Sequence, residues 1–331
     1  MNITPLPRLA ILPFAFILAF FSSWHDARAE LLFADDFASG DISKHNDFFR
    51  WGRSGQIPNP GADSSRIEQV TGPHGTPVSA MRFRYMALIS DATSDQKKWS
   101  EQRFHLTESV DEVRTTNGES NVAHQEIWAR YWLFVPGNYH HLLNQNGHAA
   151  GQNNKGWITL WNRNYAASHH PDGERAPVHN RIEWWPTSNN ESYTTAVSRS
   201  GGGHATPIWR HENQGNRAFL ASDYGRWVDF AVGMRLKSFK GADDAFIRVY
   251  KNGTLVLEWD ATQFPGEFDS WAYNDDPSMN GFDRGYIMGY HNSGYNETTT
   301  FYITDFKIGT KPESVGLLGS RPLPPTLQGA E

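Results

Sequence analysis

The sequence predicts an all-β protein, a sandwich of two antiparallel sheets, and three observations predict it. Short segments rich in β-branched and aromatic residues follow one another, separated by Gly, Pro, Asn and Asp. Few stretches keep a helical period over three turns. The pair Asn252-Gly253 joins two apolar runs, and Asn-Gly favours the type I′ turn of a hairpin. About ten short strands joined by wide loops are typical of a jelly roll.

Residues 30–309 are predicted to form this sandwich, and residues 310–331, with the run Arg-Pro-Leu-Pro-Pro, a loosely held tail. The predicted strands are bounded by turn signals, and they are 81–88, 99–106, 126–135, 156–161, 180–185, 226–237, 245–251, 254–259, 285–291 and 300–308. Long polar loops in a compact domain are often functional, and those predicted here are 140–155, 162–179, 186–216 and 260–284.

The composition supports a folded domain and excludes several classes of protein. Aromatic residues make up 14% of the 331 residues, whereas disordered chains are poor in them. The formal net charge is −6 and no basic block is present, which argues against a nucleic-acid partner. The chain has no cysteine, so disulfides, cysteine-ligated zinc, iron–sulfur clusters and thiol nucleophiles are excluded. We expect one large domain, because no linker divides the chain.

The N-terminal residues 1–29 are typical of a secretory signal peptide. Arg8 supplies the positive start, residues 9–21 form the apolar run, and residues 27–29 match the Ala-x-Ala cleavage pattern. The run is shorter than the ~20 residues that cross a bilayer, and Pro13 interrupts it, so an uncleaved anchor is the less favoured alternative. We therefore expect a secreted or periplasmic protein with no membrane association after cleavage.

Alternation divides the residues of a strand between two faces, and on four predicted strands the second face combines Trp with charged residues. Aromatic rings stack on pyranose faces while charged groups hold hydroxyls or carboxylates, which favours a sugar-binding groove. The alternative is that the long loops cover this face and make it a second core. The residues expected to bind substrate there are Glu101, His105, Trp128, Trp132, Lys155, Trp157, Trp161, Arg181, Glu183 and Trp185.

Six segments, in their order along the chain, carry a family resemblance: 100–104, 131–139, 154–161, 227–253, 285–290 and 301–306. Together they resemble the concanavalin A-like jelly-roll polysaccharide lyases, a group that includes glucuronan, alginate and heparin lyases. The resemblance spans most of residues 31–309 and implies the fold more specifically than the activity. The Gln-Ile-His and Tyr-Phe-Lys-x-Gly-x-Tyr motifs of alginate lyases are absent, as is the Glu-x-Asp-x-x-Glu strand of jelly-roll glucanases.

The resemblance implies cleavage of a uronic-acid-containing polysaccharide by β-elimination. A cation must then neutralise the sugar carboxylate, a base must remove the proton at C5, and an acid must protonate the leaving oxygen. The expected cations are Arg103 and Arg130, and the expected base or acid groups are Tyr286, Tyr290 and His291, with His105 and His179 as further candidate bases. For the arginines, structural ion pairing with Glu101 or Glu183 is the alternative.

Two other functions stay open on the sequence. A glycoside hydrolase needs two carboxylates that flank the scissile bond, and Glu101 and Glu183 are the pair that the sequence offers. Both residues are equally suited to be salt-bridge partners of Arg103 and Arg181. A carbohydrate-binding protein without catalysis would use the same Trp and Arg face, although the density of ionisable groups favours an enzyme.

A structural calcium site is the one metal site that we consider, and the chemistry is expected to need no cofactor. Asp36 and Asp41 lie near the start of the domain and Asp305 near its end, and Ca²⁺ binds carboxylate and backbone oxygens. The resemblance adds that jelly-roll relatives often tie their ends in this way. The alternative is a turn with solvated aspartates. Zinc is not expected, because the paired histidines lie in polar loops and not on one face of a helix.

Overall fold

The computed structural model describes residues 29–46, 48–54, 66–88, 99–106, 124–142, 154–161, 179–186, 192–199, 206–208, 217–238, 242–260 and 281–317. Backbone alone is described at 53, 54, 155, 161, 179–186, 192–199, 206–208, 217 and 218. Residues 1–28 of the predicted signal peptide lie outside these ranges. The described part contains strands and short 3-10 turns and no α-helix, and hence no helix that is long and apolar enough to cross a membrane.

The strands are numbered in chain order, and their bounds are β1 Leu31–Asp35, β2 His45–Asn46, β3 Phe49–Ser54, β4 Arg66–Thr71, β5 Pro77–Tyr85, β6 Trp99–His105, β7 Glu126–Val135, β8 Asn154–Trp161, β9 His179–Pro186, β10 Ser192–Arg199, β11 Thr206–Ile208, β12 Arg217–Phe219, β13 Arg226–Arg235, β14 Phe246–Lys251, β15 Thr254–Asp260, β16 Arg284–Tyr290 and β17 Thr299–Gly309.

These strands form two antiparallel sheets, as the sequence predicts for a jelly-roll sandwich. The eight-stranded sheet has the order β15-β14-β13-β7-β17-β5-β4, and β1 also pairs with β17. The nine-stranded sheet has the order β11-β10-β9-β8-β16-β6-β3-β2, and β12 also pairs with β10. Several neighbours are consecutive in the chain, as in β13-β14-β15 and β8-β9-β10, but the central pairs β7-β17 and β6-β16 join strands that are distant along the chain.

Each of the ten predicted strands lies within or overlaps a strand of the structure, but the loop prediction for residues 186–216 is wrong. This segment contains β10, which pairs along its whole length with β9, and the short strand β11. The sequence Ser-Tyr-Thr-Thr-Ala-Val-Ser-Arg of β10 is rich in Ser and Thr, so it lacks the apolar alternation on which the strand prediction depends.

The core lies between the two sheets and is built largely from aromatic side chains. Phe49 and Trp51 of β3 and Phe104 of β6 extend from the nine-stranded sheet. They meet Phe306 of β17, whose ring lies 5.1 Å from that of Trp51 and 6.3 Å from that of Phe104. Such rings bury large areas and favour these tilted and edge-on arrangements. The inward-facing residues of β6 are therefore the ones that alternation predicts.

Two local features bear on the sequence predictions. The turn between β14 and β15 has φ of 50° at Asn252 and 76° at Gly253, which is the type I′ geometry that the Asn-Gly pair predicts.

Residues 310–317, by contrast, are not loosely held. A 3-10 turn at Pro312–Val315 brings Val315 and Leu317 onto the eight-stranded sheet, where both are buried. The start of the predicted tail therefore packs as part of the sandwich.

Candidate active site

The residues predicted to form one groove lie on two different outer faces. Strand β6, with Glu101, Arg103 and His105, belongs to the nine-stranded sheet, whereas β7, with Trp128 and Arg130, belongs to the eight-stranded sheet. Alternation identifies correctly which residues of each strand face the core, but it does not identify the sheet. The prediction of a single groove that contains both sets is therefore wrong, because the core separates the two faces.

On the eight-stranded sheet, Trp128 is covered and not open to a sugar. Its side chain is 2% exposed and lies in a small cluster beneath Phe246, Tyr250, Val315 and Leu317. The ring centroids of Trp128 and Phe246 are 5.8 Å apart. For Trp128, the alternative that this face is covered and forms a second core is therefore correct. The covering residues come from β14 and from the C-terminal segment.

Arg130 has a structural ion pair and not a place in a groove. Its Nε donates to Oδ1 of Asp229 at 3.0 Å and its Nη2 to Oδ2 at 2.7 Å, which is the bidentate geometry of a strong pair. The hydrogen bonds with Asp229 raise the pKa of Arg130. A third bond goes to the carbonyl of Gly316. The ion-pairing alternative therefore holds for Arg130, although the partner is Asp229 and not Glu101 or Glu183. On the same face Trp132 is half-buried, with the ring of His74 edge-on at 5.7 Å.

The outer face of the nine-stranded sheet brings several of the predicted residues together. In the β6–β16 register Arg103 lies opposite Tyr286, and in the β16–β8 register Tyr286 lies opposite Thr159. The β8–β9 register continues the row to Arg181. Directly paired residues share one face of a sheet, with Cα atoms about 5 Å apart. Arg103 and Tyr286 are therefore immediate neighbours on the outer face.

Glu101 and Arg103 form an ion pair along β6. The Nε of Arg103 donates to Oε1 of Glu101 at 2.9 Å, because residues two apart on a strand lie on the same face. The Glu101 side chain is 3% exposed and that of Arg103 is 19% exposed. The carboxylate is thus the buried partner, and it holds the guanidinium at the more accessible position.

Gly52 of β3 leaves space beside Arg103 and His105. A methyl group at Gly52 would lie 3.1 Å from Nε2 of His105 and 3.3 Å from Cβ of Arg103. His105 is nearly buried and lies opposite Arg50 of β3 and Arg284 of β16 in the two registers. The absence of a side chain at Gly52 therefore lets β3 pack closely without displacing the Arg103 side chain.

A second row on this face is rich in cations. Arg50, His105 and Arg284 follow one another across β3, β6 and β16. The register then places Trp161 of β8 opposite Arg284. The Nε of Arg284 donates to Oδ1 of Asp283 at 3.0 Å. Sequence reasoning missed Arg284, although alternation with Tyr286 on the same strand would have found it.

Tyr286 and Tyr290 both belong to β16, but their neighbours differ. Tyr286 is 6% exposed and lies between Arg103 and Thr159. The Oγ1 of Thr159 is buried and has no hydrogen-bond partner in the described structure. Tyr290 lies opposite Trp99 of β6, and the two rings are perpendicular with centroids 6.0 Å apart. The aromatic pair thus lies four residues along the same two strands from the Arg103–Tyr286 pair, with the paired positions Glu101 and Met288 between them.

Trp157 does not lie on this face, contrary to the alternation prediction. Its φ is 53°, and the β8–β9 register shifts between Gly156 and Thr159. A left-handed residue in a bulge reverses the direction of its side chain, which plain alternation cannot anticipate. The indole of Trp157 is fully buried in the main core, 4.8 Å from the ring of Phe230.

His291 lies behind the face and is completely buried. Its ring stacks on that of Tyr85 at 3.9 Å with an interplanar angle of 10°, and its Nδ1 lies 2.6 Å from the hydroxyl of Tyr295. The structure therefore does not bring His291 together with Arg103 and Tyr286.

For the remaining predicted substrate-binding residues the structure describes the backbone of strands β8 and β9 but not the side chains: Lys155, Trp161, Arg181, Glu183 and Trp185. The same holds for the candidate base His179.

A buried polar cluster that the sequence did not reveal lies next to His291. The Nδ1 of His141 is 2.7 Å from Oγ of Ser293, and its Nε2 is 2.7 Å from the hydroxyl of Tyr139. The amide of Asn154 donates to the same Ser293 oxygen at 2.8 Å. Burial lowers the pKa of His141 to about 3, and His140 adds to the effect. This histidine is therefore neutral at physiological pH.

The described residues contain no group of three His, Asp or Glu side chains that could hold a metal ion. Asp36 accepts a hydrogen bond from the backbone of Ala38, and Asp41 accepts two from Ser43. The hydrogen bonds from Ser43 lower the pKa of Asp41. Asp305 pairs with Lys307, with Nζ to Oδ2 at 2.8 Å. Each of the three carboxylates predicted to share a calcium ion thus has a local partner, and the calcium site stays a prediction.

No protein-family model matches the chain, and no curated protein matches it. Among solved structures it is similar to the alginate lyase vAL-1 from a Chlorella virus, with a TM-score of 0.50 and 11% identity over 85% of this chain and 100% of that chain. An endo-β-1,4-glucuronan lyase from the fungus Trichoderma reesei has a TM-score of 0.49 and 10% identity over 86% of this chain and 98% of that chain. Identity this low shows the fold alone. The alginate lyase comparison thus confirms the jelly-roll fold of polysaccharide lyases.

Proposed function

We propose that this protein is a polysaccharide lyase that cleaves a uronic-acid-containing polysaccharide by β-elimination on the outer face of the nine-stranded sheet. The observation that carries the proposal is the direct pairing of Arg103 with Tyr286, with Glu101 holding the guanidinium. A cation and a phenol on neighbouring strands can reach the carboxylate and the C5 proton of one sugar ring, which is the arrangement that elimination needs.

Arg103, Tyr286 and Glu101 each have a different role in this elimination. Arg103 binds and neutralises the uronate carboxylate, which makes the C5 proton acidic, because negative charge that develops there is delocalised into the carboxylate. Tyr286 transfers the protons: the C5–H and C4–O bonds break, the C4=C5 double bond forms, and the leaving oxygen gains a proton. Glu101 does not touch substrate in this scheme. It is a positioning residue that orients Arg103.

Hydrolysis is disfavoured by the carboxylate content of the face. A glycosidase needs two carboxyl groups on opposite sides of the scissile bond. Among the side chains that the structure describes on β3, β6, β8 and β16, Glu101 is the one carboxylate on this face. It is nearly buried and already paired with Arg103. The described side chains of this face therefore supply one of the two carboxyl groups that hydrolysis needs.

The cationic row indicates the charge of the substrate. Arg50, Arg103 and Arg284 lie on adjacent strands within two rows, although the whole protein has a net charge of −6. Arg103 and Arg284 each have a carboxylate partner, Glu101 and Asp283, but guanidinium groups clustered on one face still favour a polyanion that binds there. Tyr290 and Trp99 add aromatic surface for a neighbouring sugar ring.

The fold and the N-terminus are consistent with this proposal. An alginate lyase is similar to this chain in fold at a TM-score of 0.50, and alginate is a polymer of uronic acids. The predicted signal peptide would export the chain to where such polysaccharides occur. Export is therefore part of the proposed function, and it is tested by sequencing the N-terminus of the protein recovered from the medium or periplasm.

The test uses the purified mature protein and a panel of uronic-acid polysaccharides. Ultraviolet absorbance of the unsaturated uronate reports elimination, and reducing-end release reports cleavage of any kind. We expect absorbance and reducing ends to rise together on at least one polymer. We expect Tyr286→Phe to lose at least ~100-fold of this activity, since proton transfer by a side chain contributes about 10²–10⁴-fold. Tyr302→Phe, on the other sheet, is the matched control and should stay active.

New reducing ends without absorbance would establish hydrolysis and overturn the proposal. Retention on an immobilised glycan without either signal would establish a binding protein and would overturn it as well. Full activity in Tyr286→Phe, with absorbance still rising, would keep the lyase and remove Tyr286 from its assigned role.

A further inference from the structure

An irregularity in β16 lies between the two tyrosines of the candidate site. Met288 has φ of 61° and Gly289 has φ of 142°. Positive φ is uncommon for residues other than glycine and persists only where the surrounding structure stabilises it. The pairing with β6 nevertheless continues without a shift, with Met288 opposite Glu101 and Gly289 opposite Ser100. Strand β16 therefore keeps its pairing register with β6, although the Met288 side chain lies on the opposite face from the one that alternation predicts.

This reversal clears the face beside Glu101. Alternation would place Met288 on the same face as Tyr286 and Tyr290. Instead its side chain is fully buried in the main core. Strand β16 consequently contributes no side chain of its own to the outer face between the two tyrosines, opposite Glu101 of β6. Under the proposed function, a sugar ring that binds between Tyr286 and Tyr290 requires this backbone conformation, because the Met288 side chain would otherwise lie there.

Tyr85 of β5 holds the irregular backbone from the opposite sheet. Its hydroxyl lies 2.9 Å from the carbonyl oxygen of Gly289 and 3.0 Å from that of Ser100. These two carbonyls belong to paired residues of β16 and β6, so one hydroxyl contacts both strands from inside the core. Tyr85 is fully buried, and burial raises its pKa well above the usual value. The phenol therefore stays protonated and remains a donor.

The ring of Tyr85 is itself fixed by its neighbours. The imidazole of His291 stacks flat on it at 3.9 Å, and Nδ1 of His291 lies 2.6 Å from the hydroxyl of Tyr295. The ring of Phe301 lies edge-on to Tyr85 at 5.9 Å. A hydroxyl on so constrained a ring can select one backbone conformation at Gly289, because moving away would cost both the stacking and the hydrogen bonds.

We infer that Tyr85 is a positioning residue for the candidate active site. Its hydroxyl holds the Met288–Gly289 backbone in the form that withdraws the Met288 side chain and sets the spacing of Tyr286 and Tyr290. The inference rests on the proposed function for its effect on catalysis. It also predicts a change in backbone order at β16 that does not depend on catalysis.

The test is Tyr85→Phe, which removes the hydroxyl and keeps the ring. The matched control is Tyr131→Phe, because Tyr131 is equally buried in the core and its hydroxyl has no hydrogen-bond partner in the described structure. We expect Tyr85→Phe to lower kcat by about tenfold to a hundredfold with little change in KM, since misplaced catalytic groups cost rates of this order. We also expect faster amide exchange in the peptide that covers 286–291. Tyr131→Phe should change neither.

The outcomes separate the inference from the proposed function. If the wild type shows no elimination, the proposed function fails, and the exchange measurement alone then decides the inference. Amide exchange at 286–291 that is the same in Tyr85→Phe and Tyr131→Phe would overturn the inference. An active wild type with equal kcat in both variants would overturn it too. Equal losses of kcat in both variants would show a general packing effect and would also contradict it.

Discussion

The two outer faces of the sandwich each carry an arginine beside aromatic residues, but the two arginines differ in their partners and in what covers them. On the eight-stranded sheet Arg130 makes a bidentate pair with Asp229, and the C-terminal segment covers the neighbouring Trp128. On the nine-stranded sheet Glu101 contacts Arg103 through Nε, and the next strand places Tyr286 opposite. The comparison shows that an alternating Trp and Arg pattern indicates an outer face of a sheet. The function of that face depends on the residues that the neighbouring strands place beside it.

The largest expected difference between the faces comes from their arginines. Arg103→Ala should lower kcat/KM by about 10²–10³-fold, since it removes the group that stabilises developing negative charge. Arg130→Ala should leave kcat/KM within about twofold and lower the free energy of unfolding by about 1–3 kcal/mol, because Asp229 loses its partner. Elimination assays and urea unfolding of both variants check this. Loss of activity in Arg130→Ala without loss of stability would reverse the assignment.

The next contrast concerns the two carboxylates. Glu101→Gln should lower kcat/KM by about tenfold to a hundredfold, less than Arg103→Ala, because Arg103 remains but is less well oriented. Asp229→Asn should affect stability and leave kcat/KM nearly unchanged. Absorbance and reducing-end assays on both variants measure the difference. Complete loss of activity in Glu101→Gln, with Arg103→Ala still active, would instead support a carboxylate that acts directly in hydrolysis.

Two glycines give a matched pair of smaller substitutions. A methyl group at Gly233 would lie 2.6 Å from ring atoms of Trp128, so Gly233→Ala should lower the free energy of unfolding by about 1–3 kcal/mol and leave activity unchanged. A methyl group at Gly52 would lie 3.1 Å from Nε2 of His105 and 3.3 Å from Cβ of Arg103, which is a weaker steric conflict. Gly52→Ala should therefore lower kcat by roughly two- to tenfold with little effect on thermal stability. The opposite assignment of the two effects would contradict the account of the faces.

The last contrast concerns the effect of acid on stability. The pKa of His141 in the folded protein is about 3, below its ordinary value of 6.5, because the ring is buried. The unfolded state then binds the extra proton, so this stability is fully present above pH 6.5 and declines as the pH falls towards 3, by about 1.4 kcal/mol for each pH unit. Urea unfolding between pH 7 and 4 measures the slope.

The matched variants for this acid effect are His141→Gln and the exposed His45→Gln. The first should flatten the slope and the second should not. Should His141→Gln fail to fold, the ring-proton NMR signal of His141 in the wild type decides the matter, because it should not titrate down to pH 4. A midpoint near 6.5 would show that the ring is charged in the folded state, contrary to the buried cluster.

Alternation along the strands predicts a large part of the fold. It identifies Tyr131, Leu133 and Val135 as core residues of β7 and Phe104 as a core residue of β6, and all four are buried. It fails for β10, whose Ser and Thr residues carry no apolar period. Alternation is a property of one strand, so it could not show that β6 and β7 lie in different sheets. That information is contained in long-range pairing.

The candidate site was partly predictable for the same reason. Glu101 and Arg103 follow from alternation on β6, and Tyr286 follows from the family resemblance. Trp157 and Met288 do not, because each adopts a left-handed conformation that reverses its side chain. Such reversals depend on packing from the other sheet, which no local pattern contains. The contact between Tyr85 and the Gly289 carbonyl joins residues separated by 204 positions, and no spacing rule relates them.

The most direct test of the central claim is which face binds the substrate. Tyr286→Phe, which should bind but not cleave, is mixed with an oligosaccharide of the uronic acid polymer that the wild type cleaves, and amide exchange is compared with and without it. We predict protection in the peptides of β6 and β16 and none in those of β7 and β13. Protection of β7 and β13, with β6 and β16 unchanged, would contradict the account and move the site to the other sheet.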